Sequence, residues 1–278
     1  MIHKHPGYAG VMRRTVIVVA LLALLPACSL VRREAVPWPT GPTIGSLTAQ
    51  QKRIADQLVN IFEYSSTTAR YDQVNDLGDG RGFTCGKVGF TTSSHEVVDI
   101  VAAYVDQVPD SPLDRHLPRL RALAAKGSDD TSGLDGFQAD WAHAATDARF
   151  RTLQDAAADR LTFQPALDAA HRLGLRTALG VAVLYDTAVQ HGTGDDPDGL
   201  DALIEQAGPV GTEKEWLVKF LAVRADDLRD PHDQDSRKVW ADSVDRADAL
   251  RRLVEDDHYT LRPPLTVEAY GDTYDLTG

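Results

Sequence analysis

The chain has 278 residues, of which 29 are Lys or Arg and 41 are Asp or Glu, so its formal net charge is −12 at pH 7. With 43% hydrophobic and 25% charged residues it has the composition of a globular protein, which excludes disorder of the whole chain. So many carboxylates repel the phosphates of nucleic acid, and we expect no nucleic-acid partner but a neutral or cationic one.

The first 27 residues have the pattern of an export signal. Three basic residues precede an uncharged apolar run over residues 15–25, which is short for a permanent membrane span. The sequence LPAC follows, and it resembles the lipobox of bacterial lipoproteins, in which the cysteine (here Cys28) is lipid-modified. We therefore predict a signal peptide over residues 1–27 and a lipid anchor on Cys28, with ordinary secretion as the alternative.

Loss of this signal takes the charge of the mature chain from −12 to −15 and leaves Cys85 without a disulfide partner if Cys28 carries lipid. We predict that Cys85 is a small packed residue. Residues 28–47 are rich in proline, glycine and hydroxyl side chains, which predicts an extended tether. The expected protein is exported and either anchored at the cell surface or secreted, and it touches a membrane only through its lipid.

Folding is expected to begin at Thr48, which forms a capping box with Gln51 ahead of a helix whose apolar residues recur at helical spacing as far as Phe62. Residues 71–94 carry five glycines among aromatic residues, valine and threonine, which predicts short strands and tight turns. From Glu96 onward the pattern is mainly helical. The predicted breaks lie at residues 109–112, 126–136, 190–199 and 208–211. We predict one body over residues 48–278, mainly α with a small β element.

Several patterns in this body resemble cofactor or metal motifs but lack a required feature. The glycine-rich stretch 78–82 lacks dinucleotide spacing, and read as a calcium loop it places Gly86 where a bidentate glutamate belongs. His95 and Asp99 resemble part of a zinc-protease motif but need a third ligand. No Gly-x-Ser-x-Gly elbow supports a serine hydrolase. We predict no metal and no organic cofactor.

A pair of carboxylates is the stronger candidate for chemistry. Glu63 ends the first amphipathic helix, where a carboxyl group facing the apolar side has the raised pKa of a general acid. Asp79 lies in the glycine-rich turn, where backbone N–H groups and Arg81 would keep it ionised. Such an acid and base across a cleft are the arrangement for glycoside hydrolysis. Spacing alone does not separate this pair from a helix-end glutamate and an Asx turn, because the chain has 41 acidic residues.

The segments LVNIFE at 58–63 and LGDGRGFT at 77–84 closely resemble the signature of the family 46 chitosanases. Further similar segments follow in the same order: VGF at 88–90, HLP at 116–118, SGL at 132–134, DW at 140–141, GLRTALG at 174–180, YD at 185–186, HG at 191–192, FLAVR at 220–224 and YGD at 270–272. The resemblance therefore covers residues 48–278, essentially the whole predicted body.

This resemblance implies an inverting endo-β-1,4-chitosanase that hydrolyses glucosaminyl linkages of chitosan, a cationic polysaccharide. It also implies a mainly α (α+β) fold, bilobed and lysozyme-like, with a small β-sheet element and a cleft between the lobes. By position, Glu63 matches the general acid, Asp79 the general base and Thr84 the residue that helps to place the attacking water. We expect a monomer.

The resemblance implies further roles outside the carboxylate pair. Charged residues that match positions near the base are Arg81, Asp186 and Arg224. Residues that match contacts to sugar amines and hydroxyls are Glu96 and His191, and Glu213 remains as a possible subsite carboxylate. Trp141 is expected in the core rather than as a stacking platform.

The chain departs from the family pattern at three places. Tyr64 stands where the family usually has asparagine, residues 93–96 (SSHE) replace a Gly-Thr-Gly-Asp-like run, and residues 205–213 are short and lack an expected basic residue. Three other functions remain open: a non-catalytic polysaccharide-binding lipoprotein, a peptidoglycan glycosidase and a structural envelope protein. A pure binder needs none of the three catalytic side chains, and an acidic cleft suits anionic peptidoglycan poorly.

Overall fold

The computed structural model describes residues 45–232 and 240–277. The predicted signal peptide, Cys28 and most of the predicted tether lie outside the described residues. Within these two ranges, no helix combines the length and apolar composition needed to cross a bilayer. The described residues divide their buried side chains between two hydrophobic cores, and each core belongs to one lobe.

The smaller lobe packs helices against a three-stranded antiparallel sheet in the order β1-β2-β3, with Thr84 of β2 opposite Asn75 and Thr91. Its elements are β1 (Val74–Asp76), β2 (Phe83–Cys85), β3 (Phe90–Thr91), α2 (His95–Gln107), a 3₁₀ turn (Pro112–His116), α3 (Leu117–Ala124), α4 (Phe137–Ala144) and α5 (Ala148–Ala158). Trp141 is fully buried in this core, and its indole N–H donates to the Tyr71 carbonyl at 2.9 Å. The prediction that Trp141 is a core residue is confirmed.

The larger lobe surrounds one central helix with others and adds a C-terminal hairpin. Its elements are α1 (Ala49–Tyr64), α6 (Gln164–Leu173), α7 (Ala178–His191), α8 (Leu200–Ala207), α9 (Glu213–Arg229), α10 (Val244–Glu255), β4 (Leu265–Ala269) and β5 (Asp272–Leu276). Every residue of α7 is buried, because the other helices cover it on all sides. Most of its side chains are therefore apolar, and the polar ones, such as Asp186 and His191, are buried with them.

Two stretches of chain connect the lobes. The segment after α1 leads into β1, and a π-helical turn (Asp159–Phe163) joins α5 of the smaller lobe to α6 of the larger one. Such π turns within helices are rare and frequently occur at functional sites. The first helix therefore belongs to the larger lobe while the glycine-rich loop that follows it belongs to the smaller one.

The predicted local structure is confirmed in most places. The capping box of Thr48 and Gln51 is present, residues 71–94 form strands and turns, and the four predicted breaks separate helices. Cys85 is buried as a free thiol. The C-terminal hairpin was not predicted, because the mainly helical pattern was extended to the end of the chain. Its alternation of buried and exposed residues covers only the five positions of β4.

Candidate active site

Glu63 is the penultimate residue of α1, on the face of the helix that packs into the core of the larger lobe. Its side chain is only 8% exposed, and it follows Phe62, which is fully buried. Burial raises the pKa of Glu63 because the charged carboxylate loses its hydration, although Arg246 opposes this effect. The direction of this shift is the one that a general acid requires.

Arg246 of α10 links Glu63 to a buried ion network. Its Nη2 lies 2.8 Å from Oε1 of Glu63 and 2.7 Å from Oδ1 of Asp186, and the Nη1 of Arg224 lies 2.7 Å from Oδ2 of the same aspartate. The side chains of Arg246, Asp186 and Arg224 have no exposed surface. Burial alone would raise the pKa of Asp186, but the two guanidinium groups hold it below its usual range. Each buried charge therefore has an opposite partner.

Arg246 was not found from the sequence, although a signal was present. In α10 it shares a helical face with Leu250 and Leu253, four and seven residues further on, and both leucines are buried. A lone arginine on an apolar face must be paired to be stable there, so the pattern itself indicates a buried carboxylate partner. Nothing local indicates which one, because Glu63 precedes Arg246 by 183 residues.

Asp79 lies in the loop between β1 and β2 of the smaller lobe, and its partner is a near neighbour. The Nη2 of Arg81 lies 2.6 Å from Oδ2 of Asp79, and the backbone N–H of Arg81 donates to Oδ1 at 3.1 Å. The aspartate side chain is 17% exposed, twice the fraction of Glu63. Gly78, Gly80 and Gly82 in this loop all have positive φ, which glycine adopts without strain. Asp79 is therefore held in position by Arg81 but open to water.

Thr84 is the central residue of β2, and its hydroxyl is unusual among the polar groups of the smaller lobe. Its Oγ1 is buried and has no hydrogen-bond partner among the described residues. A buried hydroxyl without a protein partner is a site at which a water molecule is expected to bind. The position is on the strand that directly follows the Asp79 loop.

One part of the sequence prediction is corrected here. Asp186 and Arg224 were expected beside the base, but the structure joins them to the acid through Arg246. Of the three charged residues assigned to the base, only Arg81 contacts it. The reason is that Asp186 lies on the buried central helix α7 and Arg224 on α9, both in the larger lobe with Glu63.

The family model described as glycosyl hydrolase family 46 matches residues 57–265. The chain belongs to this family. It is therefore a glycoside hydrolase, and the inverting mechanism is the property of the family.

Several known proteins are similar to this family 46 enzyme over most of its length. A chitosanase from Bacillus subtilis (strain 168) is 44% identical over 236 residues, which are 81% of this chain and 85% of that protein. The native chitosanase from Bacillus subtilis MY002 is 43% identical in sequence, and its crystal structure superposes with a TM-score of 0.77. The match covers 84% of this chain and 100% of that one. A variant of the MY002 enzyme complexed with 6 GlcN has a TM-score of 0.76 at 43% identity over 83% and 99% of the two chains. These structures confirm the lysozyme-like fold.

Glu96 lies at the start of α2 in the wall of a pocket of the family 46 enzyme to which both lobes contribute. Lining residues are Val88, Phe90 and Glu96 from the smaller lobe, Leu161 and Thr162 from the π turn, and Val189 from α7. The Glu96 carboxylate accepts from the Thr91 amide at 3.2 Å and from the Ser94 hydroxyl at 2.9 Å, and burial raises its pKa. Contact of Glu96 with sugar stays a prediction, and its position between the lobes is compatible with it.

The prediction that His191 contacts substrate is wrong. The imidazole is fully buried in the larger lobe, where Nε2 lies 3.3 Å from Nε of Arg224 and Nδ1 lies 3.0 Å from the Asp198 carbonyl. Burial lowers the pKa of His191 well below its usual range, and the adjacent Arg224 acts in the same direction. A neutral histidine with both ring nitrogens in use extends the ion network and has no surface for a sugar.

The prediction that Glu213 is a possible subsite carboxylate stays a prediction, and the structure gives this residue contacts within the larger lobe. Its carboxylate accepts from the Arg176 amide at 2.9 Å and from the Thr177 hydroxyl at 2.5 Å, ahead of the first turn of α7. The side chain therefore stabilises the start of the central helix from the N-terminal end of α9. These contacts occupy both carboxylate oxygens with protein donors. The observed contacts of Glu213 therefore lie at the start of α7.

Proposed function

We propose that this enzyme is an endo-β-1,4-chitosanase that cleaves glucosaminyl linkages with inversion. The observation that carries the proposal is the unequal pair of carboxyl groups, a buried Glu63 with a raised pKa on one lobe and a water-accessible Asp79 paired with Arg81 on the other. Relatives named as chitosanases, one of them complexed with 6 GlcN, support the choice of substrate.

In the proposed reaction, protonated Glu63 donates its proton to the glycosidic oxygen while ionised Asp79 removes a proton from a water molecule. The water attacks the anomeric carbon from the opposite face of the sugar, so the configuration is inverted. The Thr84 hydroxyl, which has no protein partner among the described residues, is free to hydrogen-bond this water. The step requires the two carboxyl groups to stand about 6.5–9.5 Å apart, which leaves room for the water.

The charge of the chain suits a polymer of amines. The formal charge is −12, and it becomes −15 when the predicted signal is removed. The field of these carboxylates attracts a polycation and raises its local concentration, an effect that salt weakens. Peptidoglycan carries negative charge, so the same field disfavours it.

The test is release of reducing ends from soluble chitosan by the wild type and by Glu63→Gln and Asp79→Asn at equal concentration. We expect kcat to fall by about 10²–10⁴-fold in each variant because acid–base catalysis is lost. Glu268→Gln is a matched control, since its exposed side chain lies on the C-terminal hairpin and the ion-pair partners of the two carboxylates are Arg246 and Arg81. NMR of the first products should show the inverted α-anomer.

Other outcomes would favour the alternative functions. Binding of chitosan without cleavage by the wild type would indicate a polysaccharide-binding protein. Cleavage of peptidoglycan but not of chitosan would indicate a glycosidase of the cell wall. Near-normal turnover by Glu63→Gln would contradict the assignment of the acid.

We further propose that the enzyme is exported and anchored through lipid on Cys28. The support is the sequence alone, a basic and apolar leader followed by LPAC. Labelled fatty acid should be incorporated into the wild type but not into Cys28→Ser, and Cys85→Ser is the control because Cys85 is a buried thiol. A protein that is released without lipid would favour ordinary secretion.

A further inference from the structure

The turn between β2 and β3, residues 86–89, packs against both lobes. The Tyr64 hydroxyl, at the end of α1 in the larger lobe, donates to the Lys87 carbonyl at 2.5 Å and lies 3.1 Å from the Gly86 carbonyl. Tyr64 is the residue directly after Glu63. One side chain therefore connects the helix end that carries the acid to a turn of the smaller lobe.

A second connection reaches the same turn from the same helix. The Nζ of Lys87 lies 2.8 Å from Oδ1 of Asp155 on α5 and 3.6 Å from Oδ1 of Asp56 on α1, and the lysine side chain is only 5% exposed. The Lys87 amide donates to the side-chain oxygen of Gln154, also on α5, at 3.1 Å. The turn is thus held by α5 of the smaller lobe, and the Lys87 side chain also connects it to α1 of the larger lobe.

This turn is connected directly to the strands on the base side of the cleft. Gly86 directly follows β2, the strand that carries Thr84, and its amide donates to the Gln73 carbonyl just before β1 at 2.7 Å. The loop that carries Asp79 lies between these two strands. Gly86 has a φ of +66°, and a Cβ there would clash with the end of the Gln154 side chain, so the turn packs closely against α5.

We propose that Tyr64 is a positioning residue that ties the base-bearing strands to the end of α1 and so holds the distance between Glu63 and Asp79. The inference rests on the proposed function, because it assumes that these two carboxyl groups are the acid and base. The hydroxyl remains a donor at any working pH, since burial raises the pKa of Tyr64 far above its usual value. Tyr64 is also one of the positions at which the chain departs from the family pattern, where the usual asparagine is too short to make this contact.

The consequence for turnover follows from geometry. An inverting enzyme needs a fixed gap for one water between acid and base. A misplacement of about 1 Å costs about 10²-fold in rate, whereas binding of a long polymer depends on many subsites and changes little. Loss of the Tyr64 hydroxyl should therefore lower kcat and leave KM nearly unchanged.

The test compares Tyr64→Phe with Tyr104→Phe in the full chain. Both variants lose one tyrosine hydroxyl hydrogen bond, but that of Tyr104 goes to Asp147 at 3.1 Å within the smaller lobe. We expect kcat on soluble chitosan to fall about tenfold in Tyr64→Phe and to stay at the wild-type value in Tyr104→Phe. Tyr64→Asn replaces Tyr64→Phe if the latter does not fold, and the same fall is expected.

A structural measurement separates this inference from the proposed function. Spin labels at Arg121→Cys in α3 and Gln206→Cys in α8, both exposed, report the distance between the lobes without substrate. We expect a broader distance distribution in Tyr64→Phe than in the wild type or Tyr104→Phe. An unchanged distribution, or an unchanged kcat in folded Tyr64→Phe, would overturn the inference. If the wild type does not cleave chitosan, the proposed function fails while the distance measurement still decides whether Tyr64 ties the lobes.

Discussion

The two halves of the candidate site are built in different ways. Glu63 is held by a buried network in which Arg246 is its direct partner, 183 residues away along the chain. Asp79 is held by Arg81, only two residues away, in a loop with glycines at positive φ. The acid therefore depends on the folding of the whole larger lobe, whereas the base depends on one local turn.

The difference follows from what each group has to do. An acid that is to keep its proton near neutral pH must be desolvated, and desolvation requires packing by distant segments. A base that activates water must stay charged and reachable by solvent, which a surface loop provides. Changes on the acid side should therefore affect stability and pH dependence together, while changes on the base side should affect catalysis almost alone.

The largest expected contrast is in chemical rescue of alanine variants. Glu63→Ala and Asp79→Ala should each lose about 10²–10⁴-fold in kcat. Added formate should restore part of the activity of Asp79→Ala, because a small carboxylate can enter the open side and act as the base. It should not rescue Glu63→Ala, because that position is buried, and formate would have to enter it as an anion that has no proton to give. Rescue of both variants, or of Glu63→Ala alone, would contradict the assignment, and chitosan hydrolysis with and without formate is the measurement.

The next largest effect is on the free energy of unfolding and on the pH dependence of activity. Arg246→Met removes the cation between Glu63 and Asp186, and breaking a buried ion pair costs about 3–5 kcal/mol of unfolding free energy. Arg246 lowers the pKa of Glu63, so its loss should raise that pKa further. Because the acid works when protonated, the alkaline limb of kcat/KM should move to higher pH. Urea denaturation and a pH–rate profile measure the two effects.

Arg81→Met is the matched control for this prediction. The side chains of Arg81 and Asp79 are partly exposed, and such pairs contribute about 0–1 kcal/mol. We expect a folded protein of nearly wild-type stability with reduced kcat. A stability loss as large as that of Arg246→Met would show that the base side is not locally organised.

The smallest effect concerns Glu213 and sharpens the distinction between structural and substrate-binding carboxylates. Glu213→Ala removes the acceptor for the Arg176 amide and for the amide and hydroxyl of Thr177 at the start of α7. We expect a loss of about 0.5–2 kcal/mol of unfolding free energy, as for other helix caps, with KM unchanged. A raised KM at full stability would instead support the predicted role of Glu213 in a substrate subsite.

Sequence reasoning was accurate where the deciding neighbours are close in the chain. The Thr48 capping box and the strands of residues 71–94 depend on contacts within a few residues or on glycine conformations, and both are present. It was wrong for His191, because a histidine in a helix does not reveal which side the rest of the lobe covers. The same reason explains why Asp186 was assigned to the base rather than to the acid side.

By itself, the sequence determined that the chain is mainly helical, that a glycine-rich turn holds Asp79 beside Arg81, and that Glu63 ends an amphipathic helix. Each of these follows from residues within one or two turns of one another, so local propensity and spacing are sufficient. Only the tertiary structure decided that Arg246 pairs with Glu63 and that Tyr64 contacts the β2–β3 turn. The burial and charge around a side chain come from segments far along the chain, and packing alone brings those segments together.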